Sequence, residues 1–74
     1  MAGDFLFDIV SHYMHPETEK KEAERIKTAE KGSIIFTTYS FSNITREVFT
    51  ALCDKNEVKF KEEFFGNTVK YRKM

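Results

Sequence analysis

Seventy-four residues with 12 basic and 12 acidic side chains leave the chain uncharged near neutral pH. That balance argues against a strongly basic nucleic-acid coat protein and against an acidic mimic of DNA. Hydrophobic residues at 41% and charged residues at 32% suit one small folded domain over residues 1–74, with no room for a second core. A single cysteine excludes an internal disulfide scaffold, and three glycines with one proline leave little for a phosphate-cradling loop.

Asp8 interrupts the longest apolar stretch, residues 5–10, far short of the ~20 apolar residues a membrane helix requires. The first residues carry no basic start or small-residue cleavage site of a signal peptide, so the expectation is an intracellular, cytoplasmic protein with no membrane partner. Cys53 then belongs in a reducing compartment.

In chain order, residues 4–15 separate into an apolar arc of about 200° and a polar remainder at helical spacing, with Asp4 in the N-cap position. A helix is expected there. Pro16 suits the start of a second helix over residues 16–31 and Gly32 its stop. Its pairs Glu17–Lys21, Glu22–Arg25 and Glu24–Lys27 are correctly spaced, and its apolar stripe of Ala23, Ile26 and Ala29 is narrow, which describes a surface helix. The β-branched and aromatic run at 33–40 reads as a strand, with Ile34, Phe36 and Thr38 on one face and Ile35, Thr37 and Tyr39 on the other.

Ser42 or Asn43 is the expected cap of a third helix, 42–53, with Ile44, Val48, Phe49, Leu52 and Cys53 facing inward. Strands at 57–65 and 68–73 follow, joined by Gly66-Asn67, a two-residue hairpin signal. That turn places Phe64 opposite Val69, Glu62 opposite Tyr71 and Phe60 opposite Lys73. Val58, Phe60, Phe64, Val69 and Tyr71 then form a buried face. The fold expected is α+β in the order α-α-β-α-β-β, with a three-stranded antiparallel or mixed sheet packed on helices.

Three constellations are candidates for function. The outer face of the hairpin carries Lys59, Lys61, Lys70 and Arg72 beside Glu57 and Glu63, with Lys61 facing Arg72. Like charges directly opposite are unfavourable unless an anion joins them, so this face is a candidate phosphate contact, with Arg46 of the third helix as a further cation. Lysines also defend exposed sheet edges against aggregation, and that reading accounts for the same residues. The succession of strand, helix and basic hairpin, with residues 42–74 as its helix and wing, resembles the C-terminal half of winged-helix DNA-binding domains, which implies a recognition helix followed by a wing. It departs from that pattern because a strand precedes residues 42–53 where a helix-turn-helix places a short helix and turn.

The second constellation is Asp8, His12 and His15, whose helical spacing would project all three together as metal ligands. No glutamate adjoins His12 and no second ligand cluster completes a site, so an Asp8–His12 ion pair explains them without a metal, and no cofactor is expected. Ser11 and His15 likewise lack an evident oxyanion hole or orienting acid, so catalysis is not expected and no small-molecule substrate is evident.

The third is the aromatic surplus, eight Phe and three Tyr. Phe5, Phe7, Tyr13, Phe36, Phe49, Phe60, Phe64 and Tyr71 would fill a modest core, leaving Tyr39, Phe41 and Phe65 at the surface. With Ile35, these three are the candidate protein interface. The expected function is a non-catalytic protein-binding module, a regulator or inhibitor of a larger complex, its partner another protein or a second copy of itself. Small proteins of phages and other mobile elements often act this way, by analogy alone. The alternative is a nucleic-acid-binding module working through the basic hairpin. Residues 1–31 carry five basic and seven acidic side chains and residues 32–74 seven and five, a mild polarity that favours the second half for anions.

Overall fold

A computed structural model describes residues 8–74. Its elements are α1 (Ile9–Tyr13), α2 (Pro16–Thr28), β1 (Ile34–Tyr39), α3 (Asn43–Lys55), β2 (Phe60–Phe65) and β3 (Thr68–Lys73). The three strands form one antiparallel sheet in the order β1-β3-β2, and the fold is α+β, as expected. Residues 4–7 of the expected first helix, with the Asp4 cap and the core positions of Phe5 and Phe7, lie outside the described residues.

Asp8 does not sit within a helix. It is the N-cap of α1, with extended backbone, and its Oδ1 accepts from the amides of Val10 at 3.1 Å and Ser11 at 3.3 Å. An N-cap carboxylate satisfies amides that have no carbonyl one turn back, which is why the helix begins at Ile9. Pro16 opens α2 as expected, and His15 caps it by accepting from the Glu17 amide at 3.2 Å. The helix stops at Thr28, earlier than expected, and Gly32, with φ of +89°, serves the turn into β1 rather than a helix end. The C-terminal carbonyls of α2 are instead capped by Lys73 of β3, whose Nζ donates to Lys27 and Ala29 oxygens at 2.7 Å each. Of the three expected α2 ion pairs, Glu22–Arg25 forms, and the other two do not appear among the described residues.

The hairpin register agrees with expectation: Phe64 pairs with Val69, Glu62 with Tyr71 and Phe60 with Lys73. Positive φ falls on Gly66 and not on Asn67, as in a type II′ turn. β2 begins at Phe60, later than expected, because Glu57 adopts a φ of +58° and closes the turn out of α3.

β1 departs from simple alternation. Ile34 pairs with Arg72 and Phe36 with Tyr71, leaving Ile35 as an inserted residue. A bulge of this kind sends two successive side chains to one side. Ile35 and Phe36 therefore both face the helices, and Ile34 joins Arg72 on the opposite face.

The core gathers Val10, Ile26, Phe49, Leu52, Val69 and Tyr71 between the helices and the inner sheet face. Tyr71 is its centre, fully buried, with the rings of Phe36, Phe49 and Phe60 around it at centroid distances of 6.1, 5.1 and 5.5 Å. Tyr13, Ile44 and Phe64, expected inside, are exposed. Phe64 has the inward parity but stands on the outermost strand, where the Arg46 guanidinium, 5.2 Å from its ring centre, takes the place of apolar cover. Ser42 is in the N-cap position of α3 without a side-chain hydrogen bond to the helix.

Candidate functional site

Alternation along three paired strands puts one set of side chains on the sheet face turned away from the core. Cross-strand register orders that face in rows: Ile34, Arg72 and Lys61, then Thr37, Lys70 and Glu63, then Tyr39, Thr68 and Phe65. No described helix covers it.

The last row is an aromatic end. Tyr39 and Phe65 flank Thr68, two strand spacings or roughly 10 Å apart, and are 58% and 56% exposed. Phe41, just past β1 and 69% exposed, lies parallel against the Tyr39 ring, with centroids 5.2 Å apart and planes at 12°. Three of the four residues expected at a protein interface therefore meet at one end of one face. The fourth does not: Ile35 is 2% exposed because the bulge turns it into the core.

The first two rows are cationic. Arg72 is held by Glu63 through Nε at 2.8 Å and Nη2 at 3.0 Å, and its Nη1 donates to the Gly32 oxygen at 2.6 Å. The Arg72 contact, reinforced through space by Lys61 and Lys70, holds the Glu63 carboxyl below the usual carboxylate range. This fork also resolves the expected clash of Lys61 with Arg72, because the neutralising acid is an intramolecular one. Lys61 and Lys59 are exposed, and Lys70 places its ammonium 5.3 Å from the centre of the Phe65 ring. None of these three lysines forms an ion pair among the described residues.

Arg46 is not part of this surface. It lies on the helix side, where its Nε donates to Tyr71 Oη at 3.2 Å, its Nη1 to the Ser40 oxygen at 2.8 Å and its Nη2 to Glu62 at 3.3 Å. Tyr71 Oη in turn donates to Glu62 at 2.9 Å. Burial first, with Glu62 adding to it, pushes the Tyr71 phenol above its ordinary value, so it is no base near neutral pH. This network borders a polar cleft of about 420 Å³ with Asn43, Glu47 and Thr50. The hairpin register placed Glu62 opposite Tyr71, but Arg46 comes from a different element and no local pattern linked it to them.

Asp8, Ser11 and His15 make structural contacts. Asp8 accepts from Ser11 Oγ and Lys55 Nζ, each at 2.8 Å, and Lys55 also meets Glu19 at 2.7 Å. Lys55, then Ser11, draw the Asp8 carboxyl down to about 2. The ion-pair partner expected for Asp8 was His12. The structure instead sets the His12 ring edge-on to Tyr13, with centroids 4.7 Å apart, and His15 caps α2. Among the described residues no group of three or more His, Cys, Asp or Glu is arranged to hold a metal. Cys53 is buried, and loss of solvent pushes its thiol up to about 11, well above the range of a reactive thiolate.

An apolar groove of about 310 Å³ opens on the helix side, floored by Phe36 and Phe49 and edged by Tyr13, Met14, Ile44 and Val48. No helix among the described residues is long and apolar enough to cross a membrane. In comparisons with known proteins, no family model matches this chain, and neither does any curated protein or solved structure.

Proposed function

We propose that this chain is a non-catalytic protein-binding module that engages its partner through the sheet face that no described helix covers. The observation that carries this reading is the placement of Tyr39 and Phe65 at one end of the outer sheet face, with Phe41 stacked on Tyr39 and all three more than half exposed. Exposed aromatics on regular structure bury large areas for little loss of side-chain entropy, which is the usual composition of an interface hot spot. Asp8 and His15 serve as helix caps, Asp8 also pairs with Lys55 and accepts from Ser11, and the thiol is buried. A regulator or inhibitor acting by occupancy fits this arrangement.

The nucleic-acid reading keeps Lys59, Lys61 and Lys70 but loses Arg46 to the helix side and Arg72 to Glu63. Three lysines give weak, salt-sensitive phosphate contact at most. Ring faces are also partly taken, Phe65 by Lys70 and Tyr39 by Phe41, which leaves less for base stacking.

Photocrosslinking tests the proposal. A crosslinking residue at position 39 or 65 should trap a partner in extract of the source cells, and one at Lys20 on α2 should not. Equal yields from both faces, or trapping from α2 alone, would refute it.

A further inference from the structure

The sheet face is polarised, and that polarity specifies a partner. This inference rests on the protein-binding reading above. Its aromatic row ends at Tyr39 and Phe65, and the next rows, about 7 Å and 14 Å away, carry Lys70 and Lys61. Within those rows both Glu63 oxygens accept from Arg72, so that pair cancels and the two lysines leave a residual charge of about two positive units on this face of a chain whose net charge is zero. Lys70 touches both halves, since its ammonium already rests on the Phe65 ring. We infer that the face receives an acidic protein segment: an apolar or aromatic side chain seated against Tyr39, Phe41 and Phe65, with carboxylates reaching Lys70 and Lys61.

Charge complementarity selects this occupant over a second copy of the chain. Two such faces paired aromatic row on aromatic row would oppose lysines to lysines, and paired the other way round would cover lysines with no carboxylate to meet them, since the one acid is already bound to arginine. It also selects an acidic segment over a neutral apolar one, because covering Lys61 and Lys70 without a counter-charge would strand two ammonium groups out of water.

The probe is a library of random 12-residue peptides displayed on phage and selected on the immobilised full chain at low salt. Enriched peptides are then synthesised and their binding measured by fluorescence anisotropy. The expected result is peptides of net negative charge with at least one aromatic or large aliphatic residue. Their affinity should fall about tenfold or more with Lys61→Glu/Lys70→Glu, and by a similar factor with Tyr39→Ala/Phe65→Ala. Lys61→Gln/Lys70→Gln, which introduces no new repulsion beside Glu63, should fall by less. Thermal melts verify that each variant is folded.

The outcomes separate the two readings. Neutral or basic peptides that still require Tyr39 and Phe65 would overturn the acidic-segment inference and leave the sheet-face reading standing. Peptides indifferent to Tyr39→Ala/Phe65→Ala would overturn both. Failure to enrich any peptide that depends on Lys61 and Lys70 overturns the inference as well. Salt-sensitive binding of a labelled oligothymidine, with no peptide enriched, would transfer the face to nucleic acid.

Discussion

The two faces of β3 are one residue apart and have opposite fates. Val69 and Tyr71 are fully buried, whereas Lys70 and Arg72 stay in contact with solvent. On the inner face, Tyr71 Oη is answered by Arg46 and Glu62, and three aromatic rings close around its ring. On the outer face, the large rings are exposed and most of the packing is ring against ring or cation against ring. Inner-face side chains fill the core, while the outer-face aromatics are each more than half exposed. A surface that exposes large apolar groups side by side is the one to test for recognition.

Substitutions can break that contrast, and the largest effect belongs to the core. Leu52 is fully buried in α3, so Leu52→Ala should cost about 2–5 kcal/mol and lower the urea midpoint strongly. Tyr71→Phe keeps the ring but deprives Arg46 and Glu62 of their shared hydroxyl, with an expected loss of about 1–3 kcal/mol in the same denaturation assay. Gly32→Ala meets no steric neighbour, yet places a side chain at a φ of +89°, and a thermal melt should show a loss of about 1 kcal/mol.

Acid should act more gently. Asp8 and Glu63 are carboxylates whose folded-state values are depressed by Lys55 and Arg72 respectively. A depressed carboxyl stabilises the fold above its unfolded value, about 4, and that contribution disappears as pH falls through the folded value. Urea midpoints should therefore decline from about pH 4 downward, and down to about 2 for Asp8. Asp8→Asn should flatten the lower part of that decline; an unchanged slope would show that the Lys55 contact contributes nothing. Protonating Glu63 also frees Arg72 and makes the outer face more cationic.

The smallest effect on stability should come from Tyr39→Ala and Phe65→Ala. Each is expected within about 0.5 kcal/mol of the parent in a thermal melt, with partner capture lost. A large destabilisation would show that the aromatic end is a second structural cluster, and the contrast between the faces would collapse.

The strand alternation and the Gly66-Asn67 turn were enough to read the hairpin register, because both are local geometry. The same holds for Val48, Phe49, Leu52 and Cys53 on the buried side of α3, and for Pro16 opening α2. At the candidate site, Tyr39, Phe41 and Phe65 were legible as surplus aromatics, though not as neighbours. Ile35 was misread as an interface residue because β1 carries a bulge there, with the Ile35 oxygen accepting from Arg25 of α2, and no residue type in β1 announces it. Arg46 was misread as a further cation of the hairpin face for the same kind of reason: its side-chain partners Tyr71 and Glu62 lie 25 and 16 positions away, on strands whose placement relative to α3 is not a local property.

Element types, their order, the hairpin pairing and the general α+β class follow from periodicity and turn chemistry within short windows of chain. Which cations remain available, which aromatics meet, and which sheet face is left open depend on how β1 docks beside β3 and on which side the helices settle. Those choices are made by burial and ion pairing between distant segments, where the free energy depends on three-dimensional proximity and not on spacing along the chain.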